Sequence, residues 1–137
     1  MSDSTCYLPA IGRILIGGIF AKSGLTRVSA YAATTALIAA ASLPLAPLGW
    51  SIALAVEIGL GLLLLAGYRV RLVAAGLAVW CFVTAVSFHR NFADPNAMIH
   101  FLKNIMIAQG LLQIVHFGTG APSFDAPKTA VQTGARA

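Results

Sequence analysis

The stretch MIHFLKNIMIAQGLLQIVHFGTG, from Met98 to Gly120, is long and apolar enough to cross a membrane, yet it contains a lysine and two histidines. A transmembrane helix needs about 20 predominantly apolar residues, and a lone charge inside hydrocarbon costs on the order of 3 kcal/mol. The stretch therefore predicts either a helix outside the membrane or a membrane helix whose polar groups have partners within the protein.

The composition of the whole chain decides between these possibilities. Hydrophobic residues make up 58% of the 137 residues and charged residues only 9%, whereas about 25% of the residues in a soluble domain are charged. The mean hydropathy is +0.84. So few charges cannot cover a soluble surface, and the chain is predicted to be an integral membrane protein whose surroundings are the lipid bilayer.

The net charge of +5 does not indicate a nucleic-acid partner. The basic residues are scattered between apolar runs and form no basic stripe or patch. The two cysteines, Cys6 and Cys81, are far apart and form no Cys-x-x-Cys motif, which excludes a quinone reductase that oxidises thiols through paired cysteines.

Four apolar stretches have the length of a membrane span, and they predict an all-α antiparallel bundle of four transmembrane helices. The linker 28–47 is rich in alanine, serine and threonine and ends in two prolines, so its hydropathy is too weak for a normal span. We expect a short interfacial or re-entrant helix there, with a fifth span as the alternative. The predicted spans cover about 7–27, 48–69, 71–90 and 98–118.

The chain is predicted to form one membrane domain over 1–125, followed by a flexible polar tail over 126–137. Four spans place both termini on the same side of the membrane. The slight excess of lysine and arginine on that side favours cytoplasmic termini.

The polar residues inside the spans converge on the half of the membrane opposite the termini. At 1.5 Å per residue, Glu57 lies about 10 Å deep in the second span and Lys103 about 5–8 Å deep in the fourth. His89 ends the third span on that side and His100 begins the fourth there, while Asn104 shares a helix face with Lys103. These five residues are predicted to lie close together.

A buried glutamate needs a cation nearby or must be protonated. We expect Lys103 to be the near partner of Glu57, with Arg13 of the first span completing a network across the core. This network is either a ligand site or a polar latch that only fixes the register of the helices. No metal or haem is expected, because no two histidines are spaced i, i+4 and no set of acidic residues accompanies them.

A second polar stripe, Gln109, Gln113 and His116, occupies the opposite face of the fourth span. We interpret it as a set of hydrogen bonds between helices, either within the bundle or in a homodimer interface.

Four segments of the chain, GRILIGGIFAKSGLTRV, VEIGLGLLLLAGYRVRLVA, VSFHRNF and IHFLKNIMIAQGLLQIVHFGTGAPSFD, together resemble the DoxX family of small bacterial membrane proteins. The family pattern has Gly-Arg opening the first helix, a glutamate in the second followed by a short G-x-x-x-R turn, Phe-His ending the third, Phe-Leu-Lys-Asn in the fourth and a closing G-x-G-x-x-S-x-D. The matching positions are Gly12, Arg13, Glu57, Gly67, Arg71, Phe88, His89, Phe101, Leu102, Lys103, Asn104, Gly118, Gly120, Ser123 and Asp125.

The resemblance implies a four-helix protein of the bacterial inner membrane. The member that gives the family its name is a subunit of a quinone-reducing thiosulfate oxidoreductase, and related proteins are linked to redox complexes of oxidative stress. The insert that family members often carry between the third and fourth helices is short here, only RNFADPNAM. If that insert shapes a site or a partner surface in the family, this chain has a changed version of it.

Two functions follow as expectations. In the first, the protein is a subunit of a membrane redox complex and binds a quinone or a similar lipophilic ligand. Lys103, Asn104 and His89 or His100 then donate hydrogen bonds to a quinone carbonyl, and Glu57 is a proton relay. In the second, the protein is a non-catalytic membrane scaffold or assembly factor in which the same polar network is purely structural.

Overall fold

The structure, a computed structural model, describes residues 3–118, 120, 123 and 125. The predicted flexible tail over 126–137 lies outside the described residues. All regular structure in the described part is helical: α1 (Asp3–Ser29), α2 (Tyr31–Ala40), α3 (Ala46–Leu54), a π-turn (Ala55–Leu60), α4 (Gly61–Ala66), α5 (Val70–Phe88) and α6 (Pro95–Phe117).

Four helical segments are long and apolar enough to cross a membrane, which confirms the predicted bundle. The second span, Ala46–Ala66, is continuous from α3 through the π-turn to α4. The linker after α1 forms the short helix α2, as predicted. With 10 residues, α2 is about 15 Å long and cannot be a fifth span.

Local chemistry explains two helix boundaries that differ by three residues from the predicted ones. The second span ends at Ala66 because Gly67, with φ 76°, and then Arg69, with φ 44°, adopt left-handed conformations that turn the chain into α5. The fourth span begins at Pro95 because the Asp94 side chain accepts a hydrogen bond from the Asn96 backbone N–H at 3.0 Å and caps the helix.

The helices pack through one apolar core and one close backbone approach. The approach joins α1 to the second span: a Cβ at Gly17 would lie 3.0 Å from the Gly61 carbonyl oxygen, and one at Gly24 would lie 3.3 Å from the Cβ of Glu57. These small-residue contacts set the register of α1. The core joins α1, α4, α5 and α6 and contains Phe20, Leu64, Val70, Val73, Ala74, Leu77, Ala78, Cys81, Ala108 and Leu111.

The bundle has two ends, which we call the His89 end and the Gly67 end. The His89 end contains the C-terminus of α1, the whole of α2, the start of α3, and the loop between α5 and α6. The Gly67 end contains the turn between α4 and α5, the start of α1 and the end of α6. The described parts of both chain termini therefore lie at the Gly67 end.

Candidate functional site

A cavity of about 480 Å³ opens at the His89 end between α1, α2, α3, α5 and α6. We call it the His89-end cavity. Its walls are mainly apolar side chains of the second half of α1, of α2 and of the loop 43–45. The apolar side chains are Ile19, Phe20, Leu37, Ile38, Leu43, Pro44, Leu45, Leu48, Ile52, Ala53, Phe88 and Ile107, and the polar ones are Ser23, Arg27, Thr34, Glu57, Trp80, Thr84, His89 and Asn104.

Glu57 is the buried acid of this cavity, with 3% of its surface exposed. One carboxylate oxygen, Oε2, accepts a hydrogen bond from Arg27 Nε at 2.8 Å. The other, Oε1, accepts one from Trp80 Nε1 at 3.4 Å. The carboxylate therefore has a charged partner and a neutral donor, as a buried charge requires.

The backbone around Glu57 is itself unusual. Glu57 lies within the π-turn, a rare widened turn that is frequent at functional sites. Gly24 of α1 has no side chain, so α1 comes close to the backbone of this turn. The π-turn and the glycine together bring the C-terminal part of α1 to the carboxylate.

The predicted pairing of Glu57 with Lys103 is wrong, because the cation that meets the carboxylate is Arg27. Lys103 is exposed on α6, while the neighbouring Asn104 lines the cavity. With Gly24 packed against Glu57, Arg27 lies one turn further along the same helix face and reaches the carboxylate. The sequence did contain a signal, since the face that includes Gly17 and Gly24 continues at Arg27 when it is extended by one turn.

The predicted link between Arg13 and Glu57 is also wrong, because Arg13 lies at the Gly67 end. Only 1% of Arg13 is exposed, and its Nη1 donates a hydrogen bond to the Leu64 carbonyl oxygen at 3.4 Å. Arg13 and Arg27 are 14 positions apart on α1, about 21 Å along the helix axis. The register that places Arg27 at the carboxylate therefore keeps Arg13 away from it.

The C-terminal segment supplies the acid of the Gly67 end. Asp125 accepts hydrogen bonds from the Arg69 backbone N–H at 2.8 Å and from the Val70 backbone N–H at 2.7 Å, and thereby caps α5. Its own backbone N–H donates to the Gly67 carbonyl oxygen at 3.0 Å, and its charge acts on Arg13. We call Arg13, Gly67 and Asp125 the Gly67-end cluster. Sequence reasoning matched Asp125 to a family motif but gave it no role.

The two histidines near the cavity stack on each other. The ring centroids of His89 and His100 are 5.2 Å apart with an interplanar angle of 26°. His89 lines the cavity, and partial burial together with the neighbouring His100 lowers the pKa of His89. Asn104 also lines the cavity, and its Nδ2 donates to the His100 carbonyl oxygen at 3.2 Å.

The structure thus brings Glu57, His89 and Asn104 to one cavity, places His100 against His89, and leaves Lys103 and Arg13 elsewhere. The cavity residue that sequence reasoning missed is Arg27. Its guanidinium carries N–H donors beyond the Nε that bonds Glu57. The cavity can therefore hold a mostly apolar molecule and offer hydrogen-bond donors to an acceptor group on it.

Comparison with known proteins identifies a matching family model and a similar protein. The family model described as DoxX matches residues 8–90, which include α2 through α5 and most of α1. The inner membrane protein YqjF of Escherichia coli (strain K12) is 33% identical over 117 residues, which cover 84% of this chain and 87% of that protein. No solved structure matches the chain.

Proposed function

This chain belongs to the DoxX family of multi-pass inner-membrane proteins, and we propose that it is a subunit of a membrane redox complex that binds a quinone or a similar lipophilic ligand. The observation that carries the proposal is a cavity of about 480 Å³ that borders a carboxylate–guanidinium pair, of which the Glu57 carboxylate is buried and the Arg27 guanidinium partly exposed. Small-molecule sites are typically clefts of about 300–1,000 Å³ with apolar walls and a few convergent polar groups. The His89-end cavity has this combination.

The arrangement suits a quinone in two respects. Its apolar walls match a ring with an isoprenoid chain, which prefers a dry environment to water. Its donors match the carbonyl oxygens, because Arg27 and Asn104 carry N–H groups and His89 carries a ring N–H. In this proposal Arg27, instead of the predicted Lys103, donates the hydrogen bond to the quinone carbonyl.

Glu57 is the proton relay in the proposal. Reduction of a quinone takes up two electrons and two protons, and here the electrons come from a partner redox subunit. A carboxylate beside the ligand accepts a proton and passes it to the reduced oxygen. Arg27 holds the carboxylate in place at 2.8 Å while it does so.

A second candidate function has an observation of its own in its favour. The Glu57 carboxylate already has partners on both oxygens, Arg27 and Trp80, without any ligand. A polar latch needs no more than this. In that case the protein is a membrane scaffold or assembly factor and the cavity has no specific occupant.

The two candidates are separated by filling the cavity. Ala53 is buried and lines it, whereas Ala55, two residues further along the same span, is exposed. We would purify the wild type, Ala53→Phe and Ala55→Phe in mild detergent, extract each with organic solvent and quantify quinones by mass spectrometry. A redox subunit gives stoichiometric quinone in the wild type and Ala55→Phe and a strongly reduced amount in Ala53→Phe.

A second variant tests the donor. Arg27→Lys keeps a positive charge for Glu57 but removes the guanidinium N–H groups, so bound quinone falls while the thermal unfolding midpoint changes little. The scaffold interpretation gives the opposite pattern. No quinone then copurifies with any variant, added quinone does not quench tryptophan fluorescence, and the main effect of Arg27→Lys is on stability.

We further propose that both termini are cytoplasmic. The support is the slight excess of lysine and arginine in the sequence at that end, including Arg69 in the turn between α4 and α5 and Arg71 in the first turn of α5. Alkaline phosphatase fused to the C-terminus should remain inactive, because the enzyme needs the periplasm to fold. An active fusion contradicts this orientation.

A further inference from the structure

Helix α6 is the least buried of the four spans. Within its most apolar window only 11% of the residues are buried, against 39% for α5. One side of α6 packs against the core with Ala108 and Leu111. The opposite side is left without a neighbour among the described residues, and in a membrane protein such a side faces lipid or another protein.

That outer side of α6 is polar at its centre. Gln109, Gln113 and His116 are all exposed, and their spacing of four and three residues aligns them on one face. Because these side chains are exposed, they do not form hydrogen bonds to other helices of the bundle within the described part of the chain. Neither glutamine side chain has a hydrogen-bond partner in the part of the chain that the structure describes.

The depth of the stripe makes this exposure costly. Gln109 lies eight positions before Phe117, the last residue of α6, and is therefore about 12 Å from the end of the helix. The Gln109 amide at this depth has no water to bond. A polar group left unpaired in an apolar medium is strongly unfavourable, so the stripe requires a partner that offers both donors and acceptors.

We propose that this stripe is the interface of a homodimer. Two copies in the same membrane orientation are related by a two-fold axis along the membrane normal, so each residue meets its own copy at the same depth. Only a self-complementary side chain is satisfied in this arrangement, and glutamine is one because its amide both donates and accepts. Gln109 and Gln113 therefore each pair with the same residue of the second copy.

The residues around the stripe are also compatible with a second copy of the chain. Met106, 64% exposed, continues the face toward the His89 end, and methionine adapts well to irregular helix–helix packing. The cavity residues of α6, Asn104 and Ile107, are on a different side of the helix from the glutamines. Dimerisation through the stripe therefore leaves the His89-end cavity uncovered and is independent of the ligand proposed for it.

Disulfide trapping in native membranes tests the interface. The background carries Cys6→Ser and Cys81→Ala, and single cysteines are introduced as Gln109→Cys, Gln113→Cys or the control Val79→Cys. Val79 is 62% exposed on α5 and lies outside the proposed interface. Because a disulfide needs Cα atoms within about 7 Å, we expect an oxidised dimer from at least one glutamine position and none from Val79→Cys.

A second measurement uses the full chain without cysteine chemistry. The double variant Gln109→Leu/Gln113→Leu keeps a lipid-compatible surface but removes the interhelical hydrogen bonds. We expect its dimer dissociation constant in micelles, measured by energy transfer between labelled copies, to rise about tenfold or more. The control Val79→Leu/Val83→Leu should not change it.

Three outcomes overturn the proposal. The first is that neither glutamine position gives more crosslinked dimer than Val79→Cys. The second is that the glutamine positions crosslink to a different protein, which makes the stripe a hetero-oligomeric interface. The third is that the leucine double variant dimerises as tightly as the wild type.

Discussion

The two ends of the bundle use the same kinds of charged residue in opposite ways. At the His89 end, Arg27 and Glu57 border a cavity of about 480 Å³. At the Gly67 end, Arg13 and Asp125 lie beside the turn between α4 and α5, and the packing there is tight. A Cβ added at Gly67 would overlap Arg13 and Ser123. The difference shows that a charge inside a membrane protein indicates a ligand site only where there is also space beside it.

The hydrogen-bond partners of Glu57 and Asp125 also differ between the two ends. Glu57 is held by side chains, and the Arg27 side chain keeps 30% of its surface exposed. Asp125 is held by two backbone N–H groups at the start of α5, which cannot move unless the helix does. The first arrangement can adjust when a ligand arrives, whereas the second fixes the C-terminal segment to the turn. Under the proposed function, binding therefore belongs to the His89 end, while the hydrogen bonds of Asp125 at the Gly67 end anchor the C-terminal segment.

The largest effect is expected from Gly67→Ala, which adds a side chain to the anchored end. Alanine in a left-handed conformation costs about 1–2 kcal/mol, and overpacking against Arg13 and Ser123 adds about 1–3 kcal/mol. Together these two costs should lower the thermal unfolding midpoint of the protein in micelles, followed by circular dichroism. The decrease should be much larger than that caused by an ordinary surface substitution.

The matched control for this change is Gly59→Ala, since a Cβ there would meet nothing within 4 Å. Gly59 is exposed, and we expect a neutral or slightly favourable effect. Equal losses for the two variants would mean that the Gly67 end is not a tight anchor, and the contrast between the two ends would then fail.

Much of the contrast between the two ends could be predicted from the sequence. What could not be predicted is the register of α1 against the second span. Hydropathy and length were enough for four spans and a short helix, because the bilayer imposes both on any spanning chain. Estimates of depth along each helix brought Glu57, His89 and Asn104 to one region. Depth alone, however, cannot tell which of two cations at one end faces inward.

That choice depends on contacts between helices. Lys103 and Arg27 both lie toward the His89 end, but the close approach at Gly24 turns the Arg27 face toward Glu57. The role of Asp125 was hidden for a related reason. Its hydrogen-bond partners, Arg69 and Val70, are more than 50 positions away along the chain, and no local pattern reports such a contact.

An intermediate effect is expected from Asp125→Ala, which removes the capping carboxylate of α5. The side chain accepts two short hydrogen bonds, and the loss of a capping acid costs about 0.5–2 kcal/mol. We expect a value near the upper limit, about 2 kcal/mol, because this cap also ties the C-terminal segment to the turn. The midpoint of thermal unfolding in micelles measures it.

Asp94→Ala is the comparison for this prediction. Asp94 also caps a helix, but its side chain accepts one hydrogen bond of 3.0 Å from the backbone N–H of Asn96, two residues away, and joins no distant segments. Its loss should cost about 1 kcal/mol or less. If Asp94→Ala is as damaging as Asp125→Ala, the long-range contact contributes nothing and Asp125 is an ordinary cap.

The smallest effect concerns His89 at the rim of the cavity, and it depends on pH. Burial and His100 lower the pKa of His89 in the folded protein, whereas in the unfolded chain the pKa is near 6.5. As the pH falls through about 6.5, the unfolded chain therefore takes up a proton that the folded protein resists. Stability should therefore decrease as the pH falls from about 7 to about 5.5. The unfolding midpoint of His89→Gln should vary less over this range than that of the wild type, while His116→Gln, at the far end of α6, should keep the full dependence.

If the midpoint of His89→Gln varies with pH as much as that of the wild type, His89 does not contribute to the pH dependence of stability. The adjustable character of the His89 end would then lose this support.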